Sequence, residues 1–243
     1  NEPIAQNQLG IMFLEGQYVN QDINKSINYF LLSANQNYLN ALYNLGLIYS
    51  DGKFVEINMN KAIYYLTTAA NQNHSEAQNE LGILFLNGKY IEQNIEKSLF
   101  YFNCSVTQKN RQAQQFLADF YFEGKYVKSD ILKSINLYKE ASISTETYAK
   151  NNLGVIYKNG FKSIKKNIIL AKEYLQESCK YNHFISMHNL SNLLLEENKD
   201  QLSDDVFKKC IDLLVISSSY NFFASKIMIC IILMKKFNTN NFI

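Results

Sequence analysis

The sequence predicts an all-α solenoid, an α/α superhelix of about six helix–turn–helix repeats, each 36 residues long. Three regularities predict it: an alanine, a leucine and a glycine recur in fixed register. The columns are Ala5, Ala41, Ala77, Ala113, Ala149; Leu9, Leu45, Leu81, Leu117, Leu153; and Gly10, Gly46, Gly82, Gly154, with Ala118 at the fourth place. A single proline and nine glycines leave few sheet-type turns, which also favours helices.

The first helix of each repeat is clearest in the second copy. Ala41, Leu45 and Tyr49 have the i, i+4, i+8 spacing of one helical face. Gly46 lies beside that face, where a missing side chain lets a neighbouring helix approach. Gly52 is expected to end the helix, because the C′ position needs a positive φ that glycine adopts without steric cost.

The second helix begins at a column of capping residues. Their side chains can accept a hydrogen bond from an orphan backbone N–H, and the column reads Asp22, Asn58, Asn94, Asp130 and Asn167. In the second copy the helix continues through Ala62, Tyr65, Leu66, Ala69 and Ala70. Its small residues predict close helix–helix packing, and its aromatic rings are expected to fill the gaps between helices.

The chain is predicted to be a single solenoid domain over residues 1–243. The repeats fall at about 5–40, 41–76, 77–112, 113–148, 149–185 and 186–223, followed by a C-terminal capping helix and tail at 224–243. The sixth repeat lacks the loop glycine, has Glu197 in its place and has Ser203 as its cap. Degenerate terminal repeats are typical of a capped array.

The last helix is apolar on nearly every face from Ile227 to Met234. Three interpretations are open: a buried cap against the sixth repeat, a surface for a dimer or another partner, or a natural chain that continues further.

With these columns, the chain resembles the Sel-one-like repeat (SLR) family, relatives of the tetratricopeptide (TPR) repeats. The second copy matches the family pattern at Ala41, Leu45, Gly46, Tyr49, Gly52, Val55, Lys61, Ala62, Tyr65, Ala69 and Ala70. One departure is systematic, since aromatic residues replace the second loop glycine at Tyr18, Phe54, Tyr90 and Tyr126. The resemblance implies a right-handed superhelix that serves as a protein-binding adaptor. Family members act in endoplasmic-reticulum degradation complexes, bacterial envelope and virulence systems, and signalling scaffolds.

A partner is expected in the concave groove, which first helices line in such stacks. Counting about 100° per residue, three columns point away from the core face of their own helix. We predict that the groove residues are Asn7, Gln8, Ile11, Tyr43, Asn44, Leu47, Asn79, Glu80, Ile83, Gln115, Phe116, Asp119, Asn151, Asn152, Val155 and His188. Amides beside aliphatic side chains suit an extended peptide. The alternative is that these amides are simply solvated in an Asn-rich chain.

Composition and spacing disfavour most chemistry. A net charge of +2 without a basic stripe argues against nucleic acid, and no apolar run is long enough to span a membrane. Cys179, Cys210 and Cys230 occupy small-residue columns and are expected to be free thiols in buried slots. Neither cysteine nor histidine spacing suggests a metal. Ser163 to Lys166 spells S-x-x-K without companion motifs, so chance explains it. We expect no catalytic residues, metal or cofactor.

The sequence therefore predicts a non-catalytic adaptor or scaffold that binds a protein or peptide. The alternative is the docking repeat region of a larger protein, such as an enzyme or a subunit of an ER or envelope complex. RNA reading is disfavoured by the weak net charge. Free thiols favour a reducing compartment such as the cytoplasm, with secreted, periplasmic and ER locations left open.

Overall fold

The computed structural model describes residues 2–143, 146–161, 163–199 and 202–240. Within those ranges it consists of thirteen helices joined by short loops, with one isolated β-bridge between Phe161 and Ile164. The chain divides into two compact units, residues 1–117 and 118–243. The expectation of one domain over the whole chain stays a prediction.

The helices alternate between the first and second helix of successive repeats. Unit 1 contains α1 Pro3–Glu15, α2 Ile23–Ala34, α3 Leu39–Asp51, α4 Met59–Ala70, α5 Ser75–Asn87 and α6 Ile95–Thr107. Helix α7, Arg111–Glu123, crosses the boundary. Unit 2 continues with α8 Ile131–Ala141, α9 Thr147–Asn159, α10 Ile168–Cys179, α11 Phe184–Glu197, α12 Asp204–Ser219 and α13 Phe223–Asn240. The all-α solenoid class predicted from the sequence is confirmed.

The glycine column lets the two helices of a repeat pack closely. A Cβ atom added at Gly46 would lie 2.5 Å from Cγ of Leu66, and one at Gly82 would lie 2.7 Å from the ring of Phe102. In unit 2, Gly154 is equally close to Leu175, at 2.6 Å. These distances are too short for any side chain, so the predicted close approach is confirmed.

The predicted caps hold the second helices at their first turn. Each capping side chain accepts a hydrogen bond from the backbone N–H three residues further on, in the set Asp22, Asn58, Asn94, Asp130, Asn167 and Ser203. Gly52 ends α3 with φ of +71°, as its column predicts. Local helix-end chemistry was therefore readable from the sequence.

The turns between repeats contain a regular feature that the sequence analysis missed. A residue with positive φ follows most second helices, in the series Asn37, Asn73, Lys109, Asn182 and Asn221. Asparagine tolerates this left-handed region better than most residues, which explains its frequency there. Lys109, with φ of +62°, adopts the conformation without that advantage.

The aromatic residues that replace the second loop glycine do not share one environment. Tyr18 adopts φ of +66° and is 86% exposed, whereas Tyr126 packs edge-on against Phe120. The lysines before Phe54, Tyr90 and Tyr126 lie over those rings, at 4.7 to 4.9 Å from the ring centroids. Three of the four aromatic residues that replace the loop glycine thus make a cation–π contact with the preceding lysine.

The C-terminal helix, α13, begins in the position that the first helix of a seventh repeat would have. Ser225 of α13 donates to Ser217 of α12 at 2.8 Å, which repeats the Ser186 to Ser178 contact one repeat earlier. Among the described residues no helix follows α13. Cys230, in the glycine column, is exposed, and the prediction of a buried slot for it is wrong. Cys210 is buried as predicted, and Cys179 is half-buried.

Candidate partner-binding surface

We call the sixteen predicted groove residues the first-helix surface, and the structure divides them by exposure. Three of the asparagines are buried: Asn7 is 2% exposed, Asn79 is 3% and Asn151 is 6%. Gln8 is exposed, and the other twelve are half-buried: Ile11, Tyr43, Asn44, Leu47, Glu80, Ile83, Gln115, Phe116, Asp119, Asn152, Val155 and His188. Asn7, Asn79 and Asn151 are therefore not open to a partner in this conformation.

The buried amides join one repeat to the next. In unit 1, the Asn44 amide donates to the side-chain oxygen of Asn7 at 3.0 Å, and that of Asn79 donates to Gln112 at 2.8 Å. In unit 2, the Asn189 amide donates to Asn151 at 2.9 Å. Amides that are removed from water need such partners. Much of the predicted amide row is thus used inside the chain.

Other first-helix residues of unit 1 also pack between repeats. Tyr43 stacks on His74 with ring centroids 5.2 Å apart. Burial raises the pKa of Tyr43 to about 12, and the charges of Glu80 and Glu76 add to the effect. Burial also raises the pKa of Glu80. Phe116 stacks on Phe102 at 4.9 Å. Once the buried Asn7 and Asn79 are left out, this part of the surface has five aromatic or aliphatic residues and three amides.

Unit 2 contains a polar cluster around Asp119. The Tyr138 hydroxyl donates to one carboxylate oxygen of Asp119, and the Tyr148 hydroxyl donates to the other at 3.0 Å. The Asn152 amide donates to the Tyr138 hydroxyl at 3.0 Å. Burial raises the pKa of Asp119, although both tyrosine hydrogen bonds oppose the rise. Burial and the neighbouring Asp119 likewise raise the pKa of Tyr138.

A cavity of about 190 Å³ opens beside this cluster, entirely within unit 2. It is lined by Asp119, Phe122, Glu123, Tyr138, Tyr148, Asn152, Val155 and Ile156. Asp119, Asn152 and Val155 were predicted as groove residues, and the structure brings them together here. Phe122, Glu123, Tyr138, Tyr148 and Ile156 were missed.

The sequence carried a signal for the Asp119 cluster, because the fourth repeat breaks three columns at once. Asp119 stands where other repeats have Ile11, Leu47, Ile83 and Val155. Tyr138 stands where they have Phe30, Leu66, Phe102 and Leu175, and Ala118 replaces the glycine. These substitutions change an apolar pair into a hydrogen-bonded acid and phenol, which distinguishes the fourth repeat from the others.

The last predicted residue, His188, is held within unit 2. One ring nitrogen lies 3.0 Å from the Ser225 hydroxyl, and the other accepts from the Asn192 amide at 3.0 Å. Burial lowers the pKa of His188. Among the described residues, no group of three or more acidic, histidine or cysteine side chains is arranged to bind a metal. None of the described helices combines the length and apolar character that crossing a bilayer requires.

The paired helices, the glycine contacts and the repeated caps define a helical-repeat protein of the solenoid class. The model of the family described as "Sel1 repeat" matches residues 3–38, 39–74, 75–110, 111–143 and 147–183. The chain therefore belongs to the Sel1 repeat family, and the resemblance inferred from its columns is confirmed. Sel1 repeat proteins generally mediate protein–protein interactions and are generally non-catalytic scaffolds.

Solved structures of similar fold include two bacterial proteins. One is c5321, a protective antigen of uropathogenic Escherichia coli with an SLR fold (TM-score 0.85, 23% identity, 97% of this chain and 50% of that chain). The other is a Sel1 repeat protein from Oxalobacter formigenes (TM-score 0.80, 22% identity, 90% of this chain and 89% of that chain). This chain thus spans about half the length of c5321.

A more distant likeness is the immunity protein Pa5087 from Pseudomonas aeruginosa, at a TM-score of 0.54 and 16% identity over 89% of this chain and 82% of that chain. A sequence search of the curated proteins finds no match. At these identities the solved structures show a shared fold.

Proposed function

We propose that this chain is a non-catalytic adaptor that binds a protein or peptide through its first-helix surface. The observation that carries the proposal is the cavity in unit 2, because it opens at Asp119, Asn152 and Val155, all on first helices. Membership of a family whose repeats generally mediate protein–protein interaction supports it.

The contact chemistry favours apolar anchors more than a row of amides. Leu47 in unit 1 and Val155 in unit 2 are half-buried, so each has apolar surface left to cover. Burying such surface contributes about 25 cal/mol per Å². The amides of Asn7, Asn79 and Asn151 instead hold the repeats in register and are left out of the proposed contact set.

Selection of peptides from a random display library on the full chain tests this function. We expect selected peptides to bind at least about tenfold more weakly to Leu47→Gln or Val155→Gln, because each change removes apolar contact. Matched controls are Tyr64→Gln and Ile169→Gln, which alter second-helix residues that are 65% and 76% exposed. Isothermal titration calorimetry measures the affinities, and circular dichroism checks the fold. Peptides that respond only to the control changes, or a failure to select any, would refute the proposal.

The alternative, a docking repeat region of a larger protein, makes a different prediction about size. An antibody against this chain would then detect a natural polypeptide well above 28.2 kDa with a further domain. A natural polypeptide of this size alone favours the free adaptor.

The proposal extends to a second copy of the chain at α13. One face of this helix exposes an uncharged apolar stripe, made of Phe223, Ile227, Cys230, Ile231 and Met234. A stripe without charges can pack against itself about a two-fold axis, since like residues meet without repulsion. Sedimentation equilibrium is expected to show a dimer that Ile227→Lys disrupts and Ile169→Lys leaves intact. A monomer at all concentrations would contradict this part.

A further inference from the structure

The Asp119 cavity has a lining whose charge and ring content select for one kind of ligand group. Two of its eight lining residues, Asp119 and Glu123, carry carboxyl groups, and none of the eight is basic. Three others are aromatic: Phe122 is half-buried and Tyr148 is 41% exposed, whereas Tyr138 is only 1% exposed, so ring surface for a ligand comes from Phe122 and Tyr148. Carboxylates together with aromatic faces are the side chains that bind ammonium and guanidinium groups.

We propose that this cavity binds the cationic side chain of an arginine or lysine in the partner peptide. The inference rests on the proposed function, because it assigns a ligand group to a position on the first-helix surface. It adds what the repeat family does not specify, namely which residue of a partner is bound and which residues of this chain bind it.

The carboxylate of Asp119, which lines the cavity, retains acceptor capacity. A carboxylate offers about four lone-pair sites. Its Oδ2 atom accepts one hydrogen bond, from Tyr148 at 3.0 Å, and its Oδ1 atom accepts from Tyr138, with the Asn152 amide further away at 3.5 Å. The two hydroxyl donors are neutral and orient the carboxylate. They therefore hold it in place while leaving its charge to be met by a ligand.

The size of the cavity suits the end of a long side chain. An apolar cavity of roughly 150 Å³ can hold benzene, and this one measures about 190 Å³. A guanidinium or ammonium group on a methylene chain fits with its charge at Asp119 and its stem against the half-buried Val155.

Cation binding at this site is expected to weaken at lower pH. Burial raises the pKa of Asp119, and the neighbouring Glu123 adds to the rise, so Asp119 takes up a proton at a higher pH than an exposed aspartate does. Tyr138 and Tyr148, which also face it, are neutral because their pKa values are raised as well. A cation stabilises the ionised carboxylate, so its binding should weaken as the pH falls through that raised pKa.

The test uses the full ¹⁵N-labelled chain and three blocked amino acids as probes. These are Nα-acetyl-arginine amide, the corresponding lysine compound, and the citrulline compound, which has nearly the shape of arginine without its charge. Chemical shifts of the Asn152 side-chain amide and the Tyr148 backbone amide are followed in each titration. We expect arginine and lysine to bind at least about tenfold more tightly than citrulline, since hydrogen bonds to charged groups are the stronger ones.

Variants separate the charge of Asp119 from the shape of the cavity. Asp119→Asn should remove the preference for a cation, whereas Asp212→Asn, which removes an exposed carboxylate elsewhere in unit 2, should retain it. If Asp119→Asn fails to fold, Glu123→Gln serves instead and should weaken arginine binding about two- to fivefold, because its carboxylate is exposed.

Equal binding of citrulline and arginine, or no binding of either, would overturn the cation site. A preference for arginine that neither Asp119→Asn nor Glu123→Gln reduces would also overturn it. The peptide selection described above decides the proposed function separately, since selected peptides can bind the first-helix surface without a basic residue.

Discussion

At the scale of single residues, two histidines act as helix caps. Nδ1 of His74 accepts from the backbone N–H of Ala77 at 3.2 Å, and Nδ1 of His183 accepts from that of Ser186 at 3.3 Å. Burial lowers the pKa of both rings. A ring that is protonated at Nδ1 can no longer accept, so these caps require neutral histidine.

These caps make the fold sensitive to mild acid. Because the folded-state pKa values lie below the ordinary histidine value of 6.5, the unfolded chain binds more protons and stability falls as the pH drops below 6.5. Replacing both with asparagine, a cap without a charge change, should reduce that loss, with a cap contributing about 1 kcal/mol. Urea unfolding at pH 7.5 and 5.0 measures the effect. If the wild type and the double variant His74→Asn/His183→Asn lose the same free energy of unfolding between pH 7.5 and 5.0, this role is contradicted.

Residue-level prediction from the sequence succeeded for local chemistry and did not extend to contacts between repeats. The cap at Asn58 and the positive φ at Gly52 follow from neighbours within a few residues, so they could be read directly. Asn79 was placed on the groove because it points away from its own core face. Counting along one helix does not reveal that the next repeat covers that direction. The Asp119–Tyr138 bond joins residues 19 apart, which spacing alone does not predict.

At the scale of elements, the contact between first and second helices depends on a missing side chain. The ring of Phe102 occupies the place of a Cβ atom at Gly82, and Leu66 does so at Gly46. In the fourth repeat the same position is Ala118, and it is buried. The helix pair of that repeat therefore accommodates a methyl group where the others do not.

Because of this difference, we expect both substitutions in this column, glycine to alanine and alanine to glycine, to lower the free energy of unfolding. Gly82→Ala should destabilise the fold by about 1–2 kcal/mol, because overpacking costs more than the helix propensity gained. Ala118→Gly should also destabilise, by about 1 kcal/mol, since propensity is lost and no clash is relieved. Chemical unfolding measures both. An increase in stability for Gly82→Ala would show that the helices can separate freely.

The turns between repeats form a second structural element with a testable weakness. Lys109 has the same positive φ as Asn37 and Asn73, yet lysine is strained there. Lys109→Asn should stabilise the chain by up to about 1 kcal/mol, and Asn73→Lys should destabilise it by a similar amount. Thermal unfolding checks the two signs. Equal melting temperatures would mean that the left-handed turn carries no such strain.

At the scale of the whole molecule, each unit is built from contacts between neighbours. In unit 1 the main contacts join α1 to α2, α3 to α4 and α5 to α6, and second helices to the next first helix. In unit 2 the same holds, with α9 also contacting α11. Such nearest-neighbour packing explains why the repeat columns were enough to predict the fold class. It also explains why they predict little about a partner, since columns describe what repeats share.

The proposed partner-binding role therefore depends on residues that break the columns. Asp119 and Tyr138 in the fourth repeat are the strongest example, and they lie at a cavity lined by residues of α7, α8 and α9. The uncovered face of α13 is another departure, because Cys230 is exposed where the earlier glycines are packed.

The most direct test maps a selected peptide onto the full chain by chemical-shift perturbation. If the first helices form the binding surface, the largest shifts should fall on first-helix residues, either Leu47 and Ile83 in unit 1 or Asn152 and Val155 in unit 2. Exposed second-helix residues such as Tyr64 and Ile169 should not shift. Shifts confined to the second helices, or to the loops of Tyr18 and Tyr90, would contradict binding at the first-helix surface.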